Sequence, residues 1–168
     1  AAIFTSMVSE FALTGAGGGG TLLGMTKNSS PIIYDFFVDC PELHNKKIDF
    51  KKVNIDFGNT QQEFHIGKGS VAVPGNIAGL LDVHKENGKL PLNLVLEPAI
   101  QIAKNGVILS DYQAYINSLI KPILLESEEG KKLFISNNKF LIAGDIFKNP
   151  CFADFLFSLS KEGKDLFY

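Results

Sequence analysis

Thr14-Gly15-Ala16-Gly17-Gly18-Gly19-Gly20, read with Gly69-Ser70-Val71-Ala72-Val73-Pro74-Gly75 further on, decides the fold of this chain. Glycine loses more freedom on ordering than any other residue and offers no side chain to a core. A run of four is kept where backbone must turn sharply or lie against other backbone or a ligand. The first stretch also satisfies G-x-G-x-x-G, with Asp39 about twenty residues downstream, as a dinucleotide site would have it. Such a site needs a strand before the glycines and a helix after them, so that the pyrophosphate meets a helix N-terminus. Here the order is reversed, and Gly20-Thr21-Leu22 lacks the lysine of a phosphate loop. Nucleotide binding is set aside.

Before the glycines, Ile3, Met7, Val8 and Phe11 repeat close to a 3.6 period, so residues 1–11 read as a helix. After them, Thr21–Lys27 and Ile32–Val38 read as two strands joined by the polar turn Asn28-Ser29-Ser30-Pro31. Residues 41–70 read as a connection with one short strand at Lys52–Asp56. From Asn76 the period becomes helical: Ile77, Leu80, Leu81 and His84 share a face, Asn76 is the candidate N-cap and Gly88 the candidate stop. Three more helices follow. The first covers about 92–104, with Pro98 kinking or restarting it and Gly106 past its end. The second is capped by Ser110 and carries a stripe of Tyr112, Tyr115, Ile116 and Leu119. The third has Asn149 as cap, Pro150 at its first position, Phe152, Phe155, Leu156 and Leu159 inward, and Gly163 as stop. No internal repeat or linker divides the chain, so residues 1–168 read as a single piece.

Composition narrows the function classes. With 45% hydrophobic and 20% charged residues in 168, the chain is globular and long enough for a sizeable core. No run approaches the roughly 18–20 apolar residues of a membrane span. The opening residues lack the basic region of a signal peptide, and the chain starts inside a helix without an initiator methionine, as though its beginning had been removed. All sixteen basic residues are lysines, so no guanidinium fork is present to clamp a carboxylate or phosphate. A net charge of −2 and the lack of a basic stripe argue against nucleic-acid binding. Cys40 and Cys151 permit one disulfide at most and read as isolated buried thiols.

His44, His65 and His84 have no metal-ligand spacing, and metal binding has little support. His84 reads as a packed, hydrogen-bonded helix residue. His65, in Gln62-Glu63-Phe64-His65-Ile66-Gly67, is retained as a candidate substrate-site residue. Asp35 and Asp39, alternating with Tyr34, Phe36 and Phe37, form either a half-exposed strand face or an acid–base pair.

Taken in order, Glu10–Gly20 (EFALTGAGGGG), Val73-Pro74-Gly75, Gly79-Leu80, His84-Lys85, Gly88, Leu90-Pro91, Glu97-Pro98-Ala99-Ile100, Gly144-Asp145, Asn149-Pro150 and Phe167-Tyr168 resemble the large subunit of the gamma-glutamyltranspeptidase family. The resemblance runs almost end to end. It implies an α/β (α+β) fragment of the four-layer αββα fold of N-terminal nucleophile hydrolases, with a largely helical second half. It also implies a precursor that cuts itself, a threonine at the new terminus of a small subunit as nucleophile, and that residue's own amine as base. The partner would be the small subunit of the same precursor, the substrate a gamma-glutamyl or related amide such as glutathione, and no cofactor is needed. No nucleophile is identified within this chain. The rival reading is a non-catalytic scaffold that kept the fold, and the compartment stays open.

One departure bears on specificity. Members of the family hold the α-carboxylate of the glutamyl group with an arginine in a segment like D-x-R-E-x-x-P. The corresponding stretch here is Asp35-Phe36-Phe37-Val38-Asp39-Cys40-Pro41, and Phe37 stands at the arginine's place. The resemblance therefore marks Phe37 as a substrate-site residue in a branch carrying Asp-Phe-Phe. Lys27 and Lys68 are candidate replacement charges.

Overall fold

The computed structural model describes residues 1–27, 30–41 and 49–168. The chain forms two compact units, each assembled from separated segments: Ala1–Pro41, Ala72–Ala103 and Pro150–Tyr168 make the first, Glu42–Val71 and Lys104–Asn149 the second.

The first unit is a helical core with a hairpin on it. Helix α1 (Ala2–Ser9) leads into the glycine run, from which strand β1 (Gly20–Gly24) and strand β2 (Ile32–Phe36) form an antiparallel pair with Leu22 opposite Tyr34 and Leu23 opposite Ile33. Period 2 puts Leu22, Tyr34 and Phe36 on one face and Thr21, Leu23, Ile33 and Asp35 on the other. The first face is half-buried and the second exposed. In the second unit, strands β3 (Lys51–Asp56) and β4 (Gln61–Ile66) pair next. Helices α2 (Asn76–Asn87) and α3 (Leu92–Asn105) return the chain to the first core. There Phe4, Met7 and Val8 of α1, Ile77, Leu80 and Leu81 of α2, and Leu96, Ala99, Ile100 and Ala103 of α3 meet Ala153, Leu156 and Leu159 of the last helix. Each set repeats at three- and four-residue intervals, the stripe an amphipathic helix buries.

Pro98 lies inside a continuous α3. It removes the bond to the Leu94 carbonyl, but both residues are exposed, so water can take the donor's place. Tyr34 ties the hairpin to α2: its hydroxyl donates to Glu86 Oε2 and accepts from Asn87 Nδ2, each at 2.8 Å.

The second unit continues with strand β5 (Val107–Ile108), helices α4 (Asp111–Leu119), α5 (Lys121–Leu124) and α6 (Glu128–Phe134), and strands β6 (Ile135–Ser136), β7 (Lys139–Phe140) and β8 (Ile146–Phe147). Helix α7 (Pro150–Glu162) closes the chain in the first unit. The capping box expected at Ser110 is complete: Ser110 Oγ accepts from Gln113 N–H, and the Gln113 side chain accepts from Ser110 N–H. Asn137 and Asn138, with φ of 49° and 59°, make the tight turn joining β6 to β7.

Several expectations need correction. The 41–70 connection holds a full hairpin, because β4 begins Gln61-Gln62-Glu63, all exposed, and polar residues hide its period. Tyr112 and Tyr115 are exposed, and the residue α4 buries is Asn117, at 1% exposure. Asn76 is the first helical residue with Gly75 as N-cap, and no side chain caps that end. Gly88 stops α2 in an extended conformation (φ −70°, ψ 138°), not a left-handed one. Cys40 and Cys151 are free but exposed.

Candidate functional site

The glycine run and the Val73-Pro74-Gly75 end of the second stretch come together in the first unit. The Gly18 carbonyl accepts from Gly75 N–H at 3.1 Å and Asn76 N–H at 3.0 Å, satisfying donors at the start of α2 that no side chain caps. Asn76 Nδ2 donates to the Gly15 carbonyl at 2.7 Å. Side chains are excluded here by contact: a methyl on Gly75 would run into the Phe36 carbonyl, and one on Gly19 would lie 2.5 Å from Val38 N. Gly79 gives the same clearance to the Phe36 ring. Asp39 and Val73 then exchange both backbone hydrogen bonds, at 3.1 and 2.7 Å. Tyr168 Oη, donating to the Pro74 carbonyl at 2.6 Å, fastens the Val-Pro-Gly turn from the C-terminal end.

This knot fixes the backbone at the exit of β2, where Phe37 sits. Phe37 N–H donates to Asp35 Oδ1 at 3.1 Å, and its side chain is 69% exposed. Asp39 Oδ1 likewise accepts from Cys40 N–H at 2.7 Å. Both aspartates hold local turns, which favours the strand-face reading over an acid–base pair. A cavity of about 380 Å³ opens beside the glycines, lined among others by Thr14, Gly19, Gly20, Thr21, Phe36 and Asn76. Among the described residues no carboxylate, imidazole or ammonium group lines it.

His65 belongs to the second unit, and the other candidate, Phe37, to the first. On β4 the His65 ring stacks on Phe50 at 4.5 Å between centroids, and its Nε2 lies 3.3 Å from Glu63 Oε1. Glu63 also pairs with Lys52 at 3.0 Å. The imidazole is thus engaged within its own hairpin. His84 Nε2 meets the Leu90 carbonyl at 2.9 Å, the packed role expected of it. His44 lies outside the described residues. Lys27 is exposed beyond β1, and Lys68 starts a 3₁₀ turn in the second unit. Among the described residues, no three histidine, cysteine or acidic side chains gather as metal ligands, and no helix is long and apolar enough to cross a membrane. Sequence reasoning missed Asn76 as the clasp between the two glycine stretches. The signal was present: a polar residue directly after Val-Pro-Gly on an otherwise apolar helix face.

Comparison with known proteins gives this arrangement its class. The chain superposes on the Bacillus anthracis transpeptidase enzyme CapD with a TM-score of 0.78 and 26% identity, over 99% of this chain and 51% of that one. On the Helicobacter pylori gamma-glutamyltranspeptidase the TM-score is 0.80 at 24% identity, over 99% and 47%. The fold is thus the mixed helix–strand architecture of the N-terminal nucleophile hydrolases. The family model for gamma-glutamyltranspeptidase matches residues 1–168, and the chain belongs to that family. Glutathione hydrolase 2 of Arabidopsis thaliana is 29% identical over 168 residues, all of this chain and 28% of that protein. The chain spans about a quarter of the length of the curated relatives it matches.

Proposed function

We propose that this chain is a large-subunit portion of a gamma-glutamyltranspeptidase-like enzyme, which transfers or hydrolyses gamma-glutamyl or related amides. The single observation that carries this reading is a family match from the first residue to the last, in a chain a quarter the length of its relatives. The nucleophile belongs to the part outside these residues: an N-terminal threonine attacks the amide carbon, its own amine takes the hydroxyl proton, and water or an acceptor amine resolves the acyl-enzyme. This chain supplies the knot of Gly18, Gly75 and Asn76 and the surface that it fixes at Phe37.

The small-subunit partner would cover the outer face of the β1–β2 pair. Leu23 and Ile33 are direct cross-strand neighbours, 69% and 68% exposed, and Met25 and Phe37 extend the apolar surface at each end. An open two-stranded sheet with such a face is suited to association.

The test is glutamate release from glutathione, and p-nitroaniline release from its gamma-glutamyl anilide, by the intact protein. Turnover that disappears when the downstream threonine is changed to alanine supports the reading. An intact, folded protein without turnover on either donor points to the non-catalytic scaffold.

A further inference from the structure

Phe37 leaves β2 with an aspartate two residues before it and another two residues after. Asp35, Phe37 and Asp39 are exposed, while Tyr34, Phe36 and Val38, which alternate with them, are half-buried. The first three therefore share the outer face at the strand's exit. Asp35 Oδ1 lies 3.1 Å from Phe37 N, which sets that carboxylate against the backbone from which the ring projects. Asp39 is held opposite Val73, itself 41% exposed, by the paired backbone hydrogen bonds of the two residues. The surface offered here is a phenyl ring, an aliphatic side chain and two carboxylates.

No cation answers those carboxylates. Residues 32–41 contain no basic side chain, and among the described residues neither aspartate joins an ion pair. The turn hydrogen bonds that they accept engage Oδ1 of each and leave the charge in place. Lys27 follows β1 at the Gly24–Ile32 end of the hairpin, whereas Phe37 leaves at the Gly20–Phe36 end, a strand's length away. Lys68 belongs to the second unit. A ligand carboxylate brought to this surface would meet two like charges and a ring that cannot hydrogen-bond it. An ammonium would be attracted by both carboxylates and by the face of the ring.

We propose that this surface selects an ammonium on the acyl donor, so that the donors are amides of ω-amino acids with no carboxylate beside the charged end. The ammonium lies over the Phe37 ring between Asp35 and Asp39, and the methylenes of the acyl chain run along Val73. This rests on the reading that puts Phe37 at the acyl-donor pocket, and it names the related amide that the pocket takes in place of a gamma-glutamyl one.

The test is equilibrium dialysis of two p-nitroanilides against the intact protein, its downstream threonine changed to alanine so that neither is consumed. One carries 4-aminobutyrate, the glutamyl group without its α-carboxylate. The other carries glutarate, the same group without its α-ammonium. The 4-aminobutyryl anilide binds at least about tenfold more tightly. Asp35→Asn together with Asp39→Asn brings the two within about threefold, because asparagine keeps both turn hydrogen bonds and removes both charges. Phe37→Arg, at an exposed position, reverses the order. Glutaryl anilide binding as tightly as its counterpart overturns the proposal, as does failure of both to bind at about 10 mM. So does a preference that survives the double substitution, which would place the ammonium elsewhere. If the double variant fails to fold, the probe pair on the unaltered surface and on Phe37→Arg still decides. Dialysis needs no turnover, so a protein that prefers the ammonium yet never releases p-nitroaniline fails the enzymatic reading alone. An active enzyme that binds the carboxylate better fails this inference alone.

Discussion

Phe37 is exposed at the end of β2, and the proposed function puts it at the place of a carboxylate-binding arginine. An arginine–carboxylate hydrogen bond contributes roughly 1.5–3 kcal/mol, or about one to two decades in specificity. A phenyl ring contributes none of that, and desolvating a carboxylate against it is unfavourable. The assembled enzyme is therefore expected to separate gamma-glutamyl donors from analogues lacking the α-carboxylate by less than about tenfold in kcat/KM. Phe37→Arg should widen the ratio toward the glutamyl donor. A strong preference already present and unchanged in Phe37→Ala would assign the clamp to another group. Asn117 makes a second prediction at this scale. The residue is 1% exposed, and among the described residues neither Nδ2 nor Oδ1 has a hydrogen-bond partner. A buried amide without hydrogen bonds costs about 1–3 kcal/mol, so Asn117→Leu, with the same number of side-chain heavy atoms and the same branching, should raise the unfolding free energy by about 1 kcal/mol. Denaturant melts of the two proteins decide it, and a loss of stability would mean the amide is satisfied in solution.

Among the elements, α4 and α6 show how local signals set boundaries. The Ser110–Gln113 box closes the start of α4, and Ser110→Ala should cost about 1 kcal/mol by chemical denaturation. At α6, Ser127 accepts from Gly130 N–H at 3.0 Å and Glu128 pairs with Lys131 at 2.6 Å. The hydrogen bond from Lys131, then its charge, holds the Glu128 carboxyl below its usual range, and the same pair raises Lys131. A depressed carboxylate stabilises the fold above its unfolded pKa and loses that contribution as pH falls through its folded value. Glu128→Gln should therefore flatten the acid limb of a stability–pH profile, slightly, because both groups are exposed. Helices and caps were legible because period 3.6, Ser110, Pro150 and Gly163 act within a few residues of one another. The β4 strand was not, since its polar start carries no alternation, and neither was the fate of Tyr112 and Tyr115. Their stripe had the right spacing, yet which face of α4 is buried depends on tertiary partners. Asn76 illustrates the same limit, with a side chain that serves Gly15, sixty-one positions away, and not its own helix end.

At the scale of the whole molecule, the glycine knot and the exposed hairpin face lead to one expectation. Gly18, Gly75 and Asn76 join segments distant in sequence, so the first unit's helical core holds the β1–β2 pair in place even though, among the described residues, neither strand pairs with any strand but the other. What the core does not do is cover Leu23, Ile33, Met25 and Phe37. Burying apolar surface is worth about 25 cal/mol per Å², so leaving such a face in water favours any partner that removes it. The 168-residue chain by itself should therefore self-associate or bind hydrophobic dyes, and it should release no p-nitroaniline from a gamma-glutamyl anilide above the buffer rate. Leu23→Lys with Ile33→Glu, cross-strand neighbours of opposite charge, should return it toward monomer without disturbing the buried face of Leu22, Tyr34 and Phe36. Sedimentation of the two forms, with dye fluorescence, measures this. In the intact protein the same double substitution should impair assembly and activity together under the proposal that the small-subunit segment covers this face. A clean wild-type monomer with no dye binding would show the hairpin to be self-sufficient, and turnover by the isolated chain that survives repurification would place the nucleophile within these residues.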